Sequence, residues 1–280
     1  MTKSMREYLS DNNFVNIKLK DKLPRIKVLS VPVTALKFEA QIALMLEWAK
    51  TQKSRTVCVA NVHMVVEAHQ RPAFANILKN ADMVTPDGMP LVWMMRLLGK
   101  LNQNRVAGLD IMLALCSQAT KEGISIFLLG SKPSILEQIK TKFKEEFPNL
   151  KIAGAKPLPF RQLTEAEDDA IAQTINSSGA GIVFVSLGCP KQETWMAKQQ
   201  GKVQAVMIGL GGAFPVYAGL KKRAPHFIRN AGLEWLYRLV QEPRRLWWRY
   251  SSTIPIFLWL ALKQLLVSKT SLDKNAVEIN

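Results

Sequence analysis

Residues 181–188 read Gly-Ile-Val-Phe-Val-Ser-Leu-Gly, and this stretch decides the fold class. Its centre, at 182–185, is apolar without polar alternation, which is typical of a strand covered on both faces of a parallel sheet. Runs of the same kind lie at 125–129 and 205–209, and helical stretches lie at 133–147 and 165–176. Because strands and helices alternate, the sequence predicts a doubly wound α/β protein with a mostly parallel, Rossmann-like sheet.

The same alternation extends toward the N-terminus and sets the expected domain limits. Strands are predicted at 27–31, 56–60 and near residue 152. Helices are predicted over 37–50 and from the end of the run at 56–60 through residue 67. We expect the sheet to end near residue 218. The predicted organisation is a flexible polar leader at 1–25, an α/β core at 26–220, an appendage at 221–267 and a polar tail at 268–280.

The predicted appendage is basic and aromatic. Residues 221–249 contain eight Lys and Arg residues against two glutamates, in a chain whose formal net charge is +16. Tryptophan and tyrosine are interleaved with these charges, and an apolar stretch follows at 254–267. A basic stripe with aromatics also suits single-stranded nucleic acid, but the apolar stretch favours an interfacial helix. We therefore expect the appendage to bind an anionic membrane surface, and no nucleic acid.

The composition also bears on location. Cys58, Cys116 and Cys189 are scattered without a CxxC pair, which favours a reducing cytoplasm over a disulfide framework or a zinc site. The best candidate for a membrane span, 254–267, is short and contains Pro255, so we expect no segment that crosses a bilayer. The N-terminus lacks the apolar core of a signal peptide.

Candidate binding loops follow the predicted strands. Ligands of a parallel sheet bind beyond the carboxyl ends of its strands, where helix N-termini favour anions. The loops expected there contain Asn61, Gly130-Ser131, Gln192 and the stretch Gly-Leu-Gly-Gly at 209–212. That stretch lacks the full GxGxxG pattern, which disfavours an NAD-dependent oxidoreductase. Taken alone, these glycines favour plain turns.

The stretch Thr-Pro-Asp-Gly at 85–88 has two interpretations. Its residue types are those of a turn. Alternatively, Asp87 lies beside the strand ends as a general base for an acceptor hydroxyl. No Ser-His-Asp or Cys-His spacing is recognisable, which gives little support to hydrolase chemistry. A non-catalytic nucleotide-sugar-binding module would keep the glycine-rich turns without needing Asp87, so both classes stay open on the residues alone.

The order of several short motifs is more specific than any one of them. They are Ala60-Asn61, Ala81-Asp82, Thr85-Pro86-Asp87-Gly88, Arg105 with Gly108 and Asp110, Leu129-Gly130-Ser131, Leu187-Gly188-Cys189-Pro190-Lys191-Gln192-Glu193, Gly211-Gly212, Arg223-Ala224-Pro225, Gly232-Leu233-Glu234-Trp235 with Arg238, and Glu242-Pro243-Arg244-Arg245. Together they resemble the WecG/TagA/CpsF glycosyltransferase family, glycosyltransferase family 26, over roughly residues 28–250.

The resemblance implies transfer of a sugar from a UDP-sugar to a lipid-linked saccharide at the cytoplasmic face of the plasma membrane, for cell-surface polymer synthesis. By position, Asp87 would be the general base, and Asn61 and Gln192 would contact the sugar or acceptor. The other substrate-binding residues implied are Arg105, Asp110, Gly130, Ser131, Gly211 and Gly212. Arg238, Arg244 and Arg245 of the appendage would hold the diphosphate.

The chemistry of glycosyl transfer agrees with this resemblance. It needs a base for the incoming hydroxyl and positive charge for the leaving diphosphate, and arginines supply that charge where no metal does. The sequence has no DxD motif for Mg²⁺ or Mn²⁺. We therefore expect an inverting, metal-independent enzyme without a cofactor. N-acetylmannosamine, its uronic acid and glucose all stay open as the sugar, as does the oligomeric state.

Overall fold

The computed structural model describes residues 23–159 and 161–277, with side chains described up to Ser268. Most of the expected leader, and the last three residues of the expected tail, lie outside this range. The described strands are β1 (Arg25–Val28), β2 (Val31–Thr34), β3 (Arg55–Ala60), β4 (Met83–Pro86), β5 (Ile126–Gly130), β6 (Ile152–Lys156), β7 (Ile182–Ser186) and β8 (Val206–Gly209). The described helices are α1 (Phe38–Lys50), α2 (Val62–Gln70), α3 (Pro72–Asn80), α4 (Met89–Leu97), α5 (Gly108–Glu122), α6 (Pro133–Glu146), α7 (Glu165–Ser177), α8 (Lys191–Gln199), α9 (Ala213–Tyr217), α10 (His226–Asn230), α11 (Glu234–Gln241) and α12 (Pro243–Val277).

Six strands form one parallel sheet in the order β4-β3-β8-β7-β5-β6. The chain lays down β3 and β4 at one edge, crosses to the other half for β5 and β6, and then fills the centre with β7 and β8. Because all six strands are parallel, their carboxyl ends share one edge of the sheet. The predicted doubly wound α/β fold is confirmed.

The sheet separates two apolar cores. Alternate side chains of a strand point to opposite faces, so Ile182 and Phe184 of β7 enter one core while Val183 and Val185 enter the other. All four side chains are buried. Helices cover both faces, which is why the central strands carry apolar residues without alternation.

The first two strands lie outside this sheet. They pair antiparallel as a separate hairpin, so the prediction of a sheet strand at 27–31 was wrong. The run is interrupted by a turn after β1. The Arg25 guanidinium donates to the carbonyl of Ala81 at 2.7 Å, and the Thr34 hydroxyl accepts the N–H of Val84 at 3.1 Å. The hairpin therefore covers the edge strand β4, whose open side would otherwise invite pairing with another chain.

Helix α12 packs along the α/β core. Its residues Leu246, Phe257 and Leu260 are buried, and Phe257 belongs to one of the two apolar cores. Further along the helix, the Gln264 side chain donates to the carbonyl of Lys27 at 2.7 Å. The appendage therefore shares a hydrophobic core with the sheet domain.

The opposite face of α12 is apolar and exposed. Trp247, Trp248 and Trp259 are 58%, 78% and 63% exposed. By length and composition, Pro243–Ser268 could cross a membrane. Of its 18-residue apolar stretch, 22% is buried inside the protein. The expectation that no stretch is long and apolar enough to cross a bilayer was therefore wrong on length and composition. The helix is longer than the apolar run at 254–267 because it includes the tryptophan-containing residues before that run.

Candidate active site

Two neighbouring strands bring Asp87 and Asn61 together. Asp87 directly follows β4 and Asn61 directly follows β3, and the backbone N–H of Asp87 donates to the carbonyl of Ala60 at 2.9 Å. The Asn61 Oδ1 atom caps α2 by accepting the N–H of Met64 at 3.2 Å. Since the cap uses Oδ1, a contact between Asn61 and a ligand would use its Nδ2 group.

The surroundings of Asp87 adjust its basicity. Its Oδ1 atom accepts the backbone N–H of Gly108, the first residue of α5, at 3.3 Å. Burial, together with the charge of Glu234, raises the pKa of Asp87 to about 6, against the opposing effects of Arg105, Arg238 and the hydrogen bond from Gly108. A carboxylate with such a pKa is ionised at neutral pH and is basic enough to accept a proton from a hydroxyl.

Arg105 is held beside the end of β4. The next residue, Val106, donates its N–H to the carbonyl of Pro86 at 2.8 Å. The Arg105 guanidinium then bonds Glu234 of α11 at 2.7 Å. This ion pair joins the core to the appendage, and it is partly buried on both sides, with exposed side-chain fractions of 15% and 30%.

Two further arginines of the appendage reach the core. Arg223 pairs with Asp110 in the first turn of α5, and Arg229 lies 3.8 Å from the same carboxylate. The predicted site did not include Arg223, Arg229 or Glu234. The sequence signal for two of them was present in the motifs Arg223-Ala224-Pro225 and Gly232-Leu233-Glu234-Trp235, but spacing alone does not show that these motifs fold back onto α5.

The three arginines expected to hold the diphosphate differ in placement. Arg238 lies 3.7 Å from Glu234, four residues earlier on α11, and a Cβ atom added at Gly212 would lie 3.3 Å from its guanidinium. Arg245 instead pairs with Glu242, and Arg244 is exposed. Among the described contacts, Arg238 is the one of the three that lies beside the glycine loop at 209–212, and Arg244 and Arg245 have no such contact.

The loop after β5 is shaped by close backbone approach. Gly130 has φ +87°, and a Cβ atom there would lie 2.6 Å from the carbonyl oxygen of Ser186. Ser131 also has positive φ, at +65°, and donates its N–H to the same carbonyl at 2.9 Å. This geometry requires glycine at position 130. It fixes the loop beside the end of β7. Both residues follow the run at 125–129 at the carboxyl edge of the sheet, as predicted.

Comparison with known proteins identifies the family of this chain. A family model described as the glycosyl transferase WecG/TagA/CpsF family matches residues 26–271. This chain belongs to that family. Two curated relatives, from Bacillus spizizenii strain W23 and Bacillus subtilis strain 168, are 35% and 33% identical over 75% and 78% of this chain, and over 80% and 83% of their own length. Both are named N-acetylglucosaminyldiphosphoundecaprenol N-acetyl-beta-D-mannosaminyltransferase.

In this member of the WecG/TagA/CpsF family, Gln192 connects two loops. Its Oε1 atom accepts the N–H of Gly188 at 3.2 Å and that of Gly211 at 3.1 Å. Its Nε2 atom donates to Glu193 at 2.7 Å. Glu193 is fully buried, and burial raises its pKa to about 7. Gln192 is itself buried and bonded at both ends of its amide, so its side chain joins the loops after β7 and β8.

Proposed function

We propose that this chain is an inverting, metal-independent glycosyltransferase that moves a sugar from a UDP-sugar to a saccharide linked through diphosphate to a polyprenyl lipid, in cell-surface polymer synthesis. The observation that carries the proposal is Asp87, a base with a pKa near 6, placed beside Arg105 and Arg238. The names of both relatives favour N-acetylmannosamine as the sugar and a lipid-linked N-acetylglucosamine as the acceptor.

In this mechanism Asp87 removes the proton of the acceptor hydroxyl. The hydroxyl oxygen then forms a bond to the anomeric carbon from the face opposite the UDP group. The bond between that carbon and the diphosphate oxygen breaks, and its electron pair leaves with the diphosphate. One displacement of this kind inverts the configuration at the anomeric carbon.

The arginines would stabilise the leaving diphosphate. Charge develops on the diphosphate as the bond breaks, and cationic groups fixed in advance at that position lower the barrier without reorganising. The Arg238 guanidinium lies beside the glycine-rich loop at 209–212, and the charges of Arg105 and Arg238 both act on Asp87, so both cations would be close to the base and the leaving diphosphate. Asn61 would bind a hydroxyl through its Nδ2 group.

Helix α11 would couple this site to the membrane. Glu234 and Arg238, four residues apart, share the face toward the core. Leu236 and Val240 share another face and are 43% and 76% exposed. With the exposed tryptophans of α12, these residues form an apolar surface next to basic side chains, which is what an interfacial membrane contact requires. The proposed location is therefore peripheral, on the cytoplasmic face of the plasma membrane.

Product analysis tests the proposed reaction. The purified chain is incubated in EDTA with UDP-N-acetylmannosamine, its uronic acid or UDP-glucose, and with N-acetylglucosamine linked through diphosphate to a short prenyl group. We expect transfer with at least one donor, strongest with UDP-N-acetylmannosamine, and an inverted anomeric linkage. Nucleotide-sugar binding without transfer would instead support the non-catalytic alternative, and activity that returns only with added Mg²⁺ would contradict the metal-independent mechanism.

The membrane surface gives a separate prediction. The double change Trp248→Ser and Trp259→Ser should weaken binding to anionic liposomes by roughly tenfold or more, because both indoles lose their interfacial contact. Sedimentation with vesicles measures it. Transfer to a short, water-soluble acceptor should stay near the unaltered rate. Trp48→Ser on α1 is the control for loss of a tryptophan outside the appendage, and unchanged liposome binding by the double variant would contradict the assignment of this surface.

A further inference from the structure

Three arginines surround one carboxylate at the start of α5. Arg223 forms an ion pair with the Oδ1 atom of Asp110, and Arg105 and Arg229 approach its Oδ2 atom at 3.7 and 3.8 Å. The three cations come from two regions of the chain, since Arg105 precedes α5 and the other two belong to the appendage. The carboxylate thus lies where core and appendage meet.

This arrangement has the composition of a binding site for a phosphorylated ligand. The 15-residue helix α5 presents its N-terminus here, and the positive end of a helix favours anions, although the N–H of its first residue already donates to Asp87. Arginine is the side chain best suited to bind phosphate oxygens in pairs. Asp110 and Glu234 are the two carboxylates here. Glu234 pairs with Arg105 at 2.7 Å and lies 3.7 Å from Arg238. Four guanidinium groups surround these two negative charges.

The arginines outnumber the carboxylates even when Glu234 is counted with Asp110. The side chains of Arg105 and Arg229 are each only 15% exposed, and the Nε atom of Arg229 is buried without a hydrogen-bond partner. Burial lowers the pKa of Arg229, and the neighbouring charges of Arg223 and Arg105 lower it further. A ligand with more negative charge and more acceptor oxygens than a carboxylate would satisfy this group better.

We propose that Asp110 is an internal counterion that occupies a diphosphate-binding pocket formed by Arg105, Arg223 and Arg229. Diphosphate entering the pocket takes over the arginines, and Asp110 turns toward solvent, to which its side chain is already 35% exposed. The inference rests on the proposed function, because there both the nucleotide-sugar donor and the lipid-linked acceptor carry a diphosphate. It replaces the expectation that Asp110 itself contacts the substrate.

The test measures binding without turnover. Calorimetric titrations with UDP and with geranyl diphosphate are compared between the unaltered chain and Asp110→Asn. The amide keeps the shape of the side chain but removes the competing charge, so affinity for the diphosphate that uses the pocket should rise by roughly twofold to fivefold, the range set by a partly exposed ion pair. Arg229→Ala should lower the same affinity by tenfold or more.

The two ligands distinguish the source of the diphosphate. A rise with UDP alone assigns the pocket to the donor, and a rise with geranyl diphosphate alone assigns it to the acceptor. If Asp110→Asn leaves both affinities unchanged, or lowers both, Asp110 only holds the arginines in place and the proposal is wrong. Asp169→Asn is the matched control, because Asp169 lies in an exposed ion pair with Lys202. Since no sugar is transferred in these titrations, a failure of the proposed reaction would show separately.

Discussion

Replacing Asp87 with asparagine is expected to lower the rate of sugar transfer by roughly 10²-fold or more, the usual contribution of a general base. Asparagine keeps the shape of the side chain and its bond from the Gly108 N–H, so UDP-sugar binding should change little. The measurement is kcat and KM for both substrates. A fall in kcat with nearly constant KM is the pattern for a group that acts in the transition state.

The pH profile of the unaltered enzyme gives a second readout of the same base. The active form of Asp87 is the carboxylate, and its pKa is raised to about 6, so kcat/KM should fall as the pH falls through about 6 and level off above it. Asp87→Asn should lose this acidic limb. Near-unaltered turnover in a folded Asp87→Asn protein would contradict the assignment.

The same substitution should not harm the fold. Asp87 binds its proton more tightly in the folded chain than its ordinary value of 3.8 allows in the unfolded chain, so its ionisation lowers the free energy of unfolding as the pH rises from about 4 to about 6. Asparagine carries no charge to desolvate. The melting temperature of Asp87→Asn at pH 7 should therefore equal or exceed that of the unaltered chain, while Asp169→Asn serves as the control at an exposed site.

The sequence predicted most of the sheet strands and the loop residues that directly follow them. The apolar runs at 56–60, 125–129, 181–187 and 205–209 identified four of the six sheet strands, because strands buried on both faces carry a strong local signal. The shorter run near residue 152 identified a fifth, the edge strand β6. Loops that follow such strands must lie at one edge. Asn61 and Ser131 were therefore predicted correctly at the ends of β3 and β5 before any contact was known.

The remaining features depend on contacts that local patterns do not encode. Strand β4 is only four residues long and ends in Pro86, so its pattern resembled a turn. The bond between Arg105 and Glu234 joins residues 129 positions apart. No periodicity indicates that the appendage returns to α5. The sequence also gives no sign that the Gln192 side chain is buried and joins two loops, because a buried polar side chain leaves no compositional trace.

The arginines of the appendage carry the second large prediction. Arg238→Ala should lower kcat by roughly 10²-fold, since removing one preorganised group that stabilises developing charge has about this cost. The assay uses a water-soluble acceptor, so that membrane binding cannot account for the loss. Arg161→Ala is the control for removal of an arginine, because Arg161 lies in an exposed ion pair with Glu167.

A pH readout separates this role from a merely structural one. Arg238 and Arg105 both oppose the raised pKa of Asp87, whereas Glu234 contributes to it. Removing Arg238 should therefore move the acidic limb of kcat/KM above pH 6, and Glu234→Gln should move it below pH 6. If Arg238 and Glu234 only held α11 in place, both variants would lose activity, but they would not move the acidic limb in opposite directions.

The comparison of Arg238 with Arg245 then decides how the appendage takes part in catalysis. Both were expected to hold the diphosphate, but the Arg245 guanidinium pairs with Glu242, which also binds Lys221 at the start of the appendage. The contacts of Arg245 therefore lie within the appendage, whereas the Arg238 guanidinium lies beside the glycine loop. Arg245→Ala should therefore cost much less in kcat than Arg238→Ala and leave the acidic limb in place. Equal losses for the two variants, with no shift of the limb in either, would mean that the appendage supports the site only by its fold and that the leaving diphosphate is stabilised by groups of the core.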